Sequence, residues 1–590
     1  MEITRVFDLL TILEQKCPDK EDIFAKRIDN QWIKYSVKDY VALSHATARG
    51  LLALGLERGT RVVSIMRNRP EWNFVDMGCA LAGMVHTPVY PTLSPDDYLY
   101  IFNHCETKLI FIGNELLYKK IRPVVEQMDS PAKIVLVDDS EDIYCFRQLL
   151  AEGEKNREAL EAVVKRNIEE TDKDTFFTLL YTSGTTGKPK GVMLSHYNLM
   201  FDSHAHAVRQ YMGVSNRILS FLPLCHAYER SVNYHYQECG ISIYYSDINS
   251  IAADLKDCKA DGFCSVPRVL EMMYGKLEAA RSSLRGIKAL IYNRAWKFAN
   301  NYDNYNRKQI YQLRRKFFDR LVYSKWRENL GGQETLQVIS GGSAIQPRIL
   351  RCLIAANIKC YEGYGMTETS PVITVNDPRY DIQVIGTVGT VIEGAELKIA
   401  EDGEILTRGP HVMLGYYKDP EQTAAVIDKD GYMHTGDIGY LVEGKYLKVT
   451  DRKKEIFKLS NGKYIAPQGI ETKIKEGSHF FSNCMVVGEN EKFASAIIVP
   501  SMSRLVSYAQ YKKIEFKDEA ELLQNPAIMD LLHRKISKVN ETLAPHEQIK
   551  RPRFVEDEWT VENKMLSQTL KLKRTNIFAR YKDIIAEIYE

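Results

Sequence analysis

Tyr181–Gly191 reads Y-T-S-G-T-T-G-K-P-K-G: three glycines, two lysines and five side-chain hydroxyls in eleven residues. An apolar, β-prone run, Thr175–Leu180 (T-F-F-T-L-L), leads into it, and Val192–Leu194 leads out toward Ser195–Met200. The pattern predicts a strand, a tight glycine-rich turn and a second strand. Glycines let a backbone approach an anion and turn N–H groups toward it, and hydroxyl and ammonium groups complete the cradle. The stretch therefore reads as a loop that grips the phosphates of a nucleotide. Its spacing excludes the two commonest such loops. A Walker loop needs four residues between its glycines and Ser/Thr after the lysine. Here two residues separate Gly184 from Gly187, and Pro189 follows Lys188. No G-x-G-x-x-G is present either. The bland alternative is a Gly/Ser/Thr surface turn.

Working outward, 590 residues exceed what one core supports and predict at least two domains. Forty-five per cent hydrophobic and 26% charged residues are ordinary for a globular chain, and a net charge of +2 argues against nucleic-acid binding. No basic-then-apolar signal pattern opens Met1–Leu13, and no eighteen-residue apolar run occurs. Eleven scattered cysteines without a C-x-x-C pair suit reduced thiols in a cytoplasm and give no zinc site. Before the loop, helical spacing over Val37–Leu54 and Pro70–Met84 alternates with short apolar runs at Arg61–Ile65, Leu109–Ile112 and Ile134–Val137. That alternation predicts a parallel α/β sheet.

Downstream, several stretches combine apolar runs with residues suited to chemistry. Phe221–Arg230 is F-L-P-L-C-H-A-Y-E-R, where His226 is either a buried, satisfied imidazole or a substrate contact. Gln337–Ser343, Q-V-I-S-G-G-S, ends a strand in Gly341 and Gly342. That turn is either a plain strand-to-helix connection or a backbone bare enough to accept a flat ring. Tyr361–Thr369, Y-E-G-Y-G-M-T-E-T, offers an aromatic to stack a base and a carboxylate for a magnesium ion bridging phosphates. Tyr432–Asp437 is Y-M-H-T-G-D, in which Asp437 is either a turn former or a bidentate acceptor for a diol. Lys276–Arg327 carries fourteen basic residues against Glu278, Asp303 and Asp319, with aromatics interleaved. It reads as a helical insertion over about 271–330, either a solvated hairpin packed on the body or a segment contacting an anionic membrane.

T-S-G-T-T-G-K-P-K-G resembles the phosphate-loop signature of the adenylate-forming superfamily, and the remaining motifs follow in that superfamily's order from 181 to 574. Within it, the basic insertion and the ending Ser567–Arg574 (S-Q-T-L-K-L-K-R) look like the long-chain acyl-CoA synthetase branch. The resemblance implies an α/β fold. A large N-terminal domain of stacked sheets with a small β-subdomain would cover 1–450. A small mobile α+β domain would cover 451–590, hinged at Asp451. It also implies roles. Thr182, Ser183, Gly184, Thr185, Thr186, Gly187 and Lys190 would hold ATP phosphates, and Gly341, Gly342, Ser343, Tyr364 and Gly365 would receive adenine. Thr367 would contact the α-phosphate, and Glu368 would ligate Mg²⁺. Asp437 and Arg452 would bind ribose, His226 would line the acyl pocket, and Gly462 would border the coenzyme A path. Register with Arg574 puts Lys571 on the family's adenylation lysine, with Lys573 as neighbour and Leu570 where glycine is usual. Glycines of Asp402–Tyr417 (D-G-E-I-L-T-R-G-P-H-V-M-L-G-Y-Y) are read as structural. The activity implied is ATP-dependent ligation of a long-chain fatty acid to coenzyme A through acyl-AMP, in a cytoplasmic enzyme that touches a membrane through 276–327. Relatives of this kind are often homodimers. The rivals are an acid–AMP ligase loading a carrier protein and a silent acyl-binding module.

Overall fold

The computed structural model describes residues 3–182, 188–207, 209, 212–306, 308–330, 336–377, 383–567 and 570–590. The chain divides into two compact units. One comprises Met1–Leu397 with Thr407–Met433, the other Lys398–Leu406 with His434–Glu590.

The first unit contains two large sheets. In the nine-stranded sheet, Arg217–Ser220, Gly262–Ser265, Leu336–Ser340 and Ile358–Gly365 lie side by side and parallel. Their carboxyl ends therefore share one edge, the usual place for ligands in open α/β sheets. The four segments leaving that edge are L-P-L-C-H, V-P-R, G-G-S and the T-E turn after Tyr364. The seven-stranded sheet runs parallel through Val85–Pro88, Arg61–Ile65, Leu109–Ile112 and Lys133–Leu136, as the alternating pattern predicts. Its other side is antiparallel: Phe176–Thr182 pairs with Lys190–Ser195, which pairs in turn with Gly415–Tyr416. The phosphate-loop stretch thus joins two hydrogen-bonded strands near a sheet edge.

Local chemistry sets the helix starts. Ser36 opens Val37–Ala53 with a reciprocal cap: its hydroxyl accepts the Asp39 N–H at 3.0 Å, and the Asp39 carboxylate accepts the Ser36 N–H at 2.8 Å. Proline opens both Pro70–Leu81 and Pro347–Ala355, where a missing N–H costs nothing.

The basic insertion is helical: Gly286–Asn300, then Gln309–Phe318 running into a π-helical turn, Asp319–Tyr323. Its aromatics mostly face inward. Trp296, Phe298, Tyr302, Phe318, Tyr323 and Trp326 are buried, with ring centroids 4.8 Å apart for both Phe298–Tyr311 and Tyr323–Trp326. Arg315 donates to the Ala355 carbonyl at 3.1 Å and Arg327 to the Ala356 carbonyl at 2.6 Å, fastening the segment to its own unit. No described helix is long and apolar enough to cross a membrane.

The second unit is α+β. Phe481–Val487 and Ser495–Pro500 form an antiparallel pair, flanked by the helices Pro467–Gly477 and Pro526–Asn540. From His434 on it also holds the hairpin that pairs Asp437–Val442 with Tyr446–Arg452, so Asp451 lies on a strand inside this unit.

Candidate active site

Ser183, Gly184, Thr185, Thr186 and Gly187 lie outside the described residues; Thr182 and Lys190, which flank them, are paired across the two strands. Lys190 anchors the second strand. Its Nζ donates to Gln422 Oε1 at 2.8 Å and sits 4.9 Å from the centroid of the Tyr416 ring. The Tyr416 hydroxyl donates to Glu368 Oε1 at 2.8 Å. Burial, and then the Glu368 carboxylate, push the Tyr416 hydroxyl pKa well up, so it stays a donor. Lys190 and Glu368, 178 positions apart in sequence, are thus bridged by one tyrosine. Tyr416 belongs to the G-Y-Y stretch read as purely structural. Only its sequence neighbours could have marked it, because what brings it in is pairing of Gly415–Tyr416 with Val192 and Met193.

Glu368 is buried, on the short 3-10 turn Thr367–Thr369, and its carbonyl accepts the Met413 N–H at 2.9 Å. Thr367 stands half-buried at the start of the same turn. Gly365 has a steric reason: a Cβ there would lie 1.8 Å from the Pro371 carbonyl oxygen. Tyr364, just before it, is half-buried at the end of its strand.

Beside that strand end, Gly341 is buried and Gly342 and Ser343 are exposed. Gly342 has φ +84°, a left-handed conformation that glycine adopts freely. A Cβ on Gly341 would meet the Tyr228 ring at 3.2 Å, and the Tyr228 hydroxyl donates to the Ile339 carbonyl at 2.9 Å. The glycine therefore accepts an aromatic ring of this chain, Tyr228, against one face. His226 caps the helix Ala227–Cys239 that carries Tyr228, its Nδ1 accepting the Tyr228 N–H at 3.2 Å. His226 is half-buried and belongs to the same strand-end edge.

A Mg²⁺ ion that keeps several waters and shares its shell with substrate phosphates needs only one or two protein carboxylates. Among the described residues no cluster of three potential metal ligands occurs. Glu368, a buried carboxylate beside the end of the lysine-bearing strand, fits that donor set.

Within the second unit, Asp437 and Arg452 face each other across the hairpin, Arg452 Nε lying 3.5 Å from Asp437 Oδ1. The turn is held from below by Glu404, which accepts the Gly436 N–H at 3.0 Å and the Lys453 ammonium at 2.8 Å. Gly436 itself has φ +71°. Asp451, almost fully buried, accepts the Arg452 N–H at 2.7 Å and the Gln468 N–H at 2.9 Å. Burial pushes its pKa up to about 6. Gly462 has φ +85° in the tight turn between the strand pair Phe457–Lys458 and Tyr464–Ile465.

At the last motif, Arg574 makes two parallel bonds to Glu471, of 2.7 and 2.8 Å, and one to Glu455 Oε2 of 2.7 Å. This fork fixes the register of the preceding lysines. Ser567 and Lys571 exchange a hydrogen-bonded pair, the Ser567 N–H donating to the Lys571 carbonyl at 2.8 Å and the Lys571 N–H to Ser567 Oγ at 3.0 Å. Leu570, between them, has φ +60°. The turn thus demands a glycine-like conformation at the one position where the sequence lacks the usual glycine. Lys571 is half-buried and Lys573 exposed, while Leu570 and Leu572 pack inward.

A model of AMP-binding enzymes matches residues 13–417, and one of the AMP-binding enzyme C-terminal domain matches 454–590. Long chain acyl-CoA synthetase 7, peroxisomal, of Arabidopsis thaliana is 31% identical over 95% of this chain and 81% of its own length. Long-chain-fatty-acid–CoA ligase 1 of Homo sapiens is 30% identical over 95% and 82%. The adenylation domain of a Mycobacterium chelonae carboxylate reductase superposes with a TM-score of 0.75 at 20% identity, over 99% of this chain and 91% of that one. With its motifs in order and these matches over nearly its whole length, the chain belongs to the AMP-binding enzyme family, alongside the long-chain acyl-CoA synthetases.

Proposed function

We propose that the chain ligates a long-chain fatty acid to coenzyme A at the expense of ATP. In the first half-reaction the fatty carboxylate oxygen attacks the α-phosphorus, a new P–O bond forms, and the bond to the β-phosphate bridging oxygen breaks, releasing pyrophosphate. In the second, the coenzyme A sulfur attacks the acyl carbonyl, the mixed anhydride C–O bond breaks, and AMP leaves with the electron pair. Phosphoryl chemistry of this kind asks the protein for positioning and charge neutralisation rather than covalent work.

The observation that carries the reading is the Lys190–Tyr416–Glu368 chain beside the phosphate-loop strands, together with 30–31% identity to two long-chain ligases. Lys190 would hold the β,γ-phosphates. Mg²⁺ held by Glu368 would neutralise charge on the departing pyrophosphate. Tyr364 would stack adenine beside Gly341–Ser343, Thr367 would contact the α-phosphate, and Asp437 with Arg452 would take the ribose hydroxyls. His226 would border the acyl group, and Gly462 the path of coenzyme A. Lys571 would offset charge at the carboxylate and α-phosphate during adenylation alone, with Asp451 as the hinge between half-reactions.

Pyrophosphate release with ATP, Mg²⁺ and acids of graded length, with and without coenzyme A, tests the whole. Turnover that needs coenzyme A and peaks at long chains supports the ligase. Release indifferent to coenzyme A assigns the chain to acid–AMP ligation instead. For the lysine, Lys571→Ala should lower adenylation by about 10²-fold or more yet still convert supplied acyl-AMP to acyl-CoA. Equal loss in both half-reactions would remove that role, and loss in Lys573→Ala instead would reassign it. Peripheral membrane contact would run through the basic insertion, 276–327, whose exposed cations include Lys316 and Arg320.

A further inference from the structure

One helix grips both flanks of the Glu368 turn. His196–Ala207 follows directly on Lys190–Ser195, the strand that carries Lys190. Asn198, Phe201 and Asp202, spaced i, i+3 and i+4, share one of its faces, and Asn198 and Asp202 are both buried. Asn198 Nδ2 donates to the Pro410 carbonyl at 2.7 Å and to the Val412 carbonyl at 3.0 Å, while its Oδ1 accepts the Ser195 N–H at 2.8 Å. Phe201 stacks on His411 between those carbonyls, with ring centroids 6.1 Å apart. The His411 carbonyl accepts from Ser370 Oγ at 2.8 Å, and the Met413 N–H goes to the Glu368 carbonyl. Residues 410–413 are therefore clamped between this helix and the Glu368 turn, just before the chain reaches Tyr416. On the other flank, Asp202 Oδ2 accepts the Val372 N–H at 2.7 Å, a short way past Glu368. Asp202 is fully buried, and its Oδ1 has no hydrogen-bond partner. A buried carboxyl with one idle oxygen is costly as mere core packing, so the bond it does make is the reason to look for a role.

We propose that Asn198 and Asp202 are positioning residues for adenylation, which hold the Glu368 carboxylate and the Tyr416 hydroxyl in place beside Lys190. They act through the backbone on either side of Glu368, and their use rests on the reading of Glu368 as the Mg²⁺ ligand. Groups that orient a metal ligand act on the metal almost as strongly as the ligand does. The two positions demand opposite chemistry. Asn198 has to donate twice, so Asn198→Asp keeps the shape and loses both bonds. Asp202 has only to accept, so Asp202→Asn keeps the Val372 bond and Asp202→Leu loses it. Burial pushes the Asp202 carboxyl pKa well up, so an uncharged amide matches it closely.

Binding of Mn²⁺ to the full-length chain is read from its EPR signal with ATP present and fatty acid absent. The Mg²⁺ dependence of pyrophosphate release is measured on the same preparations, and urea midpoints establish that each variant is folded. Asn198→Asp and Asp202→Leu should each weaken Mn²⁺ binding about tenfold or more and raise the half-maximal Mg²⁺ concentration to match. Asp202→Asn should stay within about twofold of wild type in both readouts. Asn198→Ser replaces Asn198→Asp if that chain does not fold. Unchanged Mn²⁺ binding and Mg²⁺ dependence in Asn198→Asp and Asp202→Leu, with only the urea midpoint lowered, reduce the helix to packing and overturn the proposal. So does Asp202→Asn failing as fully as Asp202→Leu. Glu368→Gln separates the two readings. If it loses Mn²⁺ while Asp202→Leu binds it fully, positioning falls and the metal reading stands. If it binds Mn²⁺ normally, the metal reading falls, and positioning then requires adenylation kcat/KM to drop in Asp202→Leu and hold in Asp202→Asn.

Discussion

At Tyr416 two distant stretches of sequence become one contact. Its ring lies under Lys190 and its hydroxyl is bonded to Glu368, so Tyr416→Phe keeps the first interaction and deletes the second. A hydrogen bond to a charged group is worth about 1.5–3 kcal/mol, so adenylation kcat/KM should fall about 10–100-fold, with a raised Mg²⁺ requirement. Unchanged pyrophosphate kinetics across a magnesium titration would reduce Tyr416 to packing. Gly365 is a stricter case. Any Cβ there would sit inside contact distance of the Pro371 carbonyl, so Gly365→Ala should distort the 367–369 turn and abolish adenylation even where the protein remains folded. Near-wild-type turnover in that variant would show that the turn can shift.

At the scale of elements, the C-terminal motif is a structural clamp with a lysine beside it. Removing Arg574 strips its cation from the buried Glu471 and leaves the half-buried Glu455 with Arg452, 4.0 Å away. Arg574→Ala should therefore destabilise the second unit by about 3 kcal/mol, read as a lower urea midpoint, while Lys573→Ala should leave it alone. Burial opposes ionisation of Glu455, but Arg574 outweighs it and holds the carboxyl below its usual range, as expected for a structural ion pair. Asp451 behaves oppositely. It caps the helix Pro467–Gly477 through the Gln468 N–H, yet burial raises its pKa from 3.8 to about 6. A group that holds its proton more tightly folded than unfolded loses stabilising effect as pH rises between those two values. Ionised Asp451 thus weakens the unit above about pH 6. Asp451→Asn cannot titrate, so its stability relative to wild type should rise by on the order of 3 kcal/mol from pH 4 to pH 7 in urea unfolding. A pH-independent difference would mean the carboxyl keeps an ordinary pKa.

The first unit as a whole is knitted by a fully buried polar cluster that no motif announced. Arg230 bonds Asp76 at 2.5 Å, the Tyr234 hydroxyl at 2.8 Å and Thr178 Oγ1 at 2.6 Å, and His86 bonds Asp76 at 2.6 Å. Asp76 is kept ionised because Arg230 and His86 outweigh the burial that opposes it. The cluster ties the helix bearing His226 and Tyr228 to Phe176–Thr182, the strand that opens the phosphate loop. Arg230→Met would strand the Asp76 charge, so a loss of about 3–5 kcal/mol is expected, recovered in part by Asp76→Asn in the same chain. Additive losses in the double variant would break that coupling.

Sequence by itself determined the order of motifs, the α/β alternation and the family. Glycines, lysines and short apolar runs are local signals, because each answers a local backbone or charge demand. Helix starts such as Pro70, the strands Arg61–Ile65 and Leu109–Ile112, and the Asp437–Arg452 pairing were all legible in that way. Tertiary structure alone decided which side chains meet across long separations. That Tyr416 bridges Lys190 and Glu368, that Glu404 supports the Asp437 turn, and that the insertion's aromatics face inward while Ile310, Leu313 and Phe317 face out all depend on sheet pairing and helix docking. Those depend on contacts between residues tens to hundreds of positions apart, for which a linear pattern carries no periodicity to read.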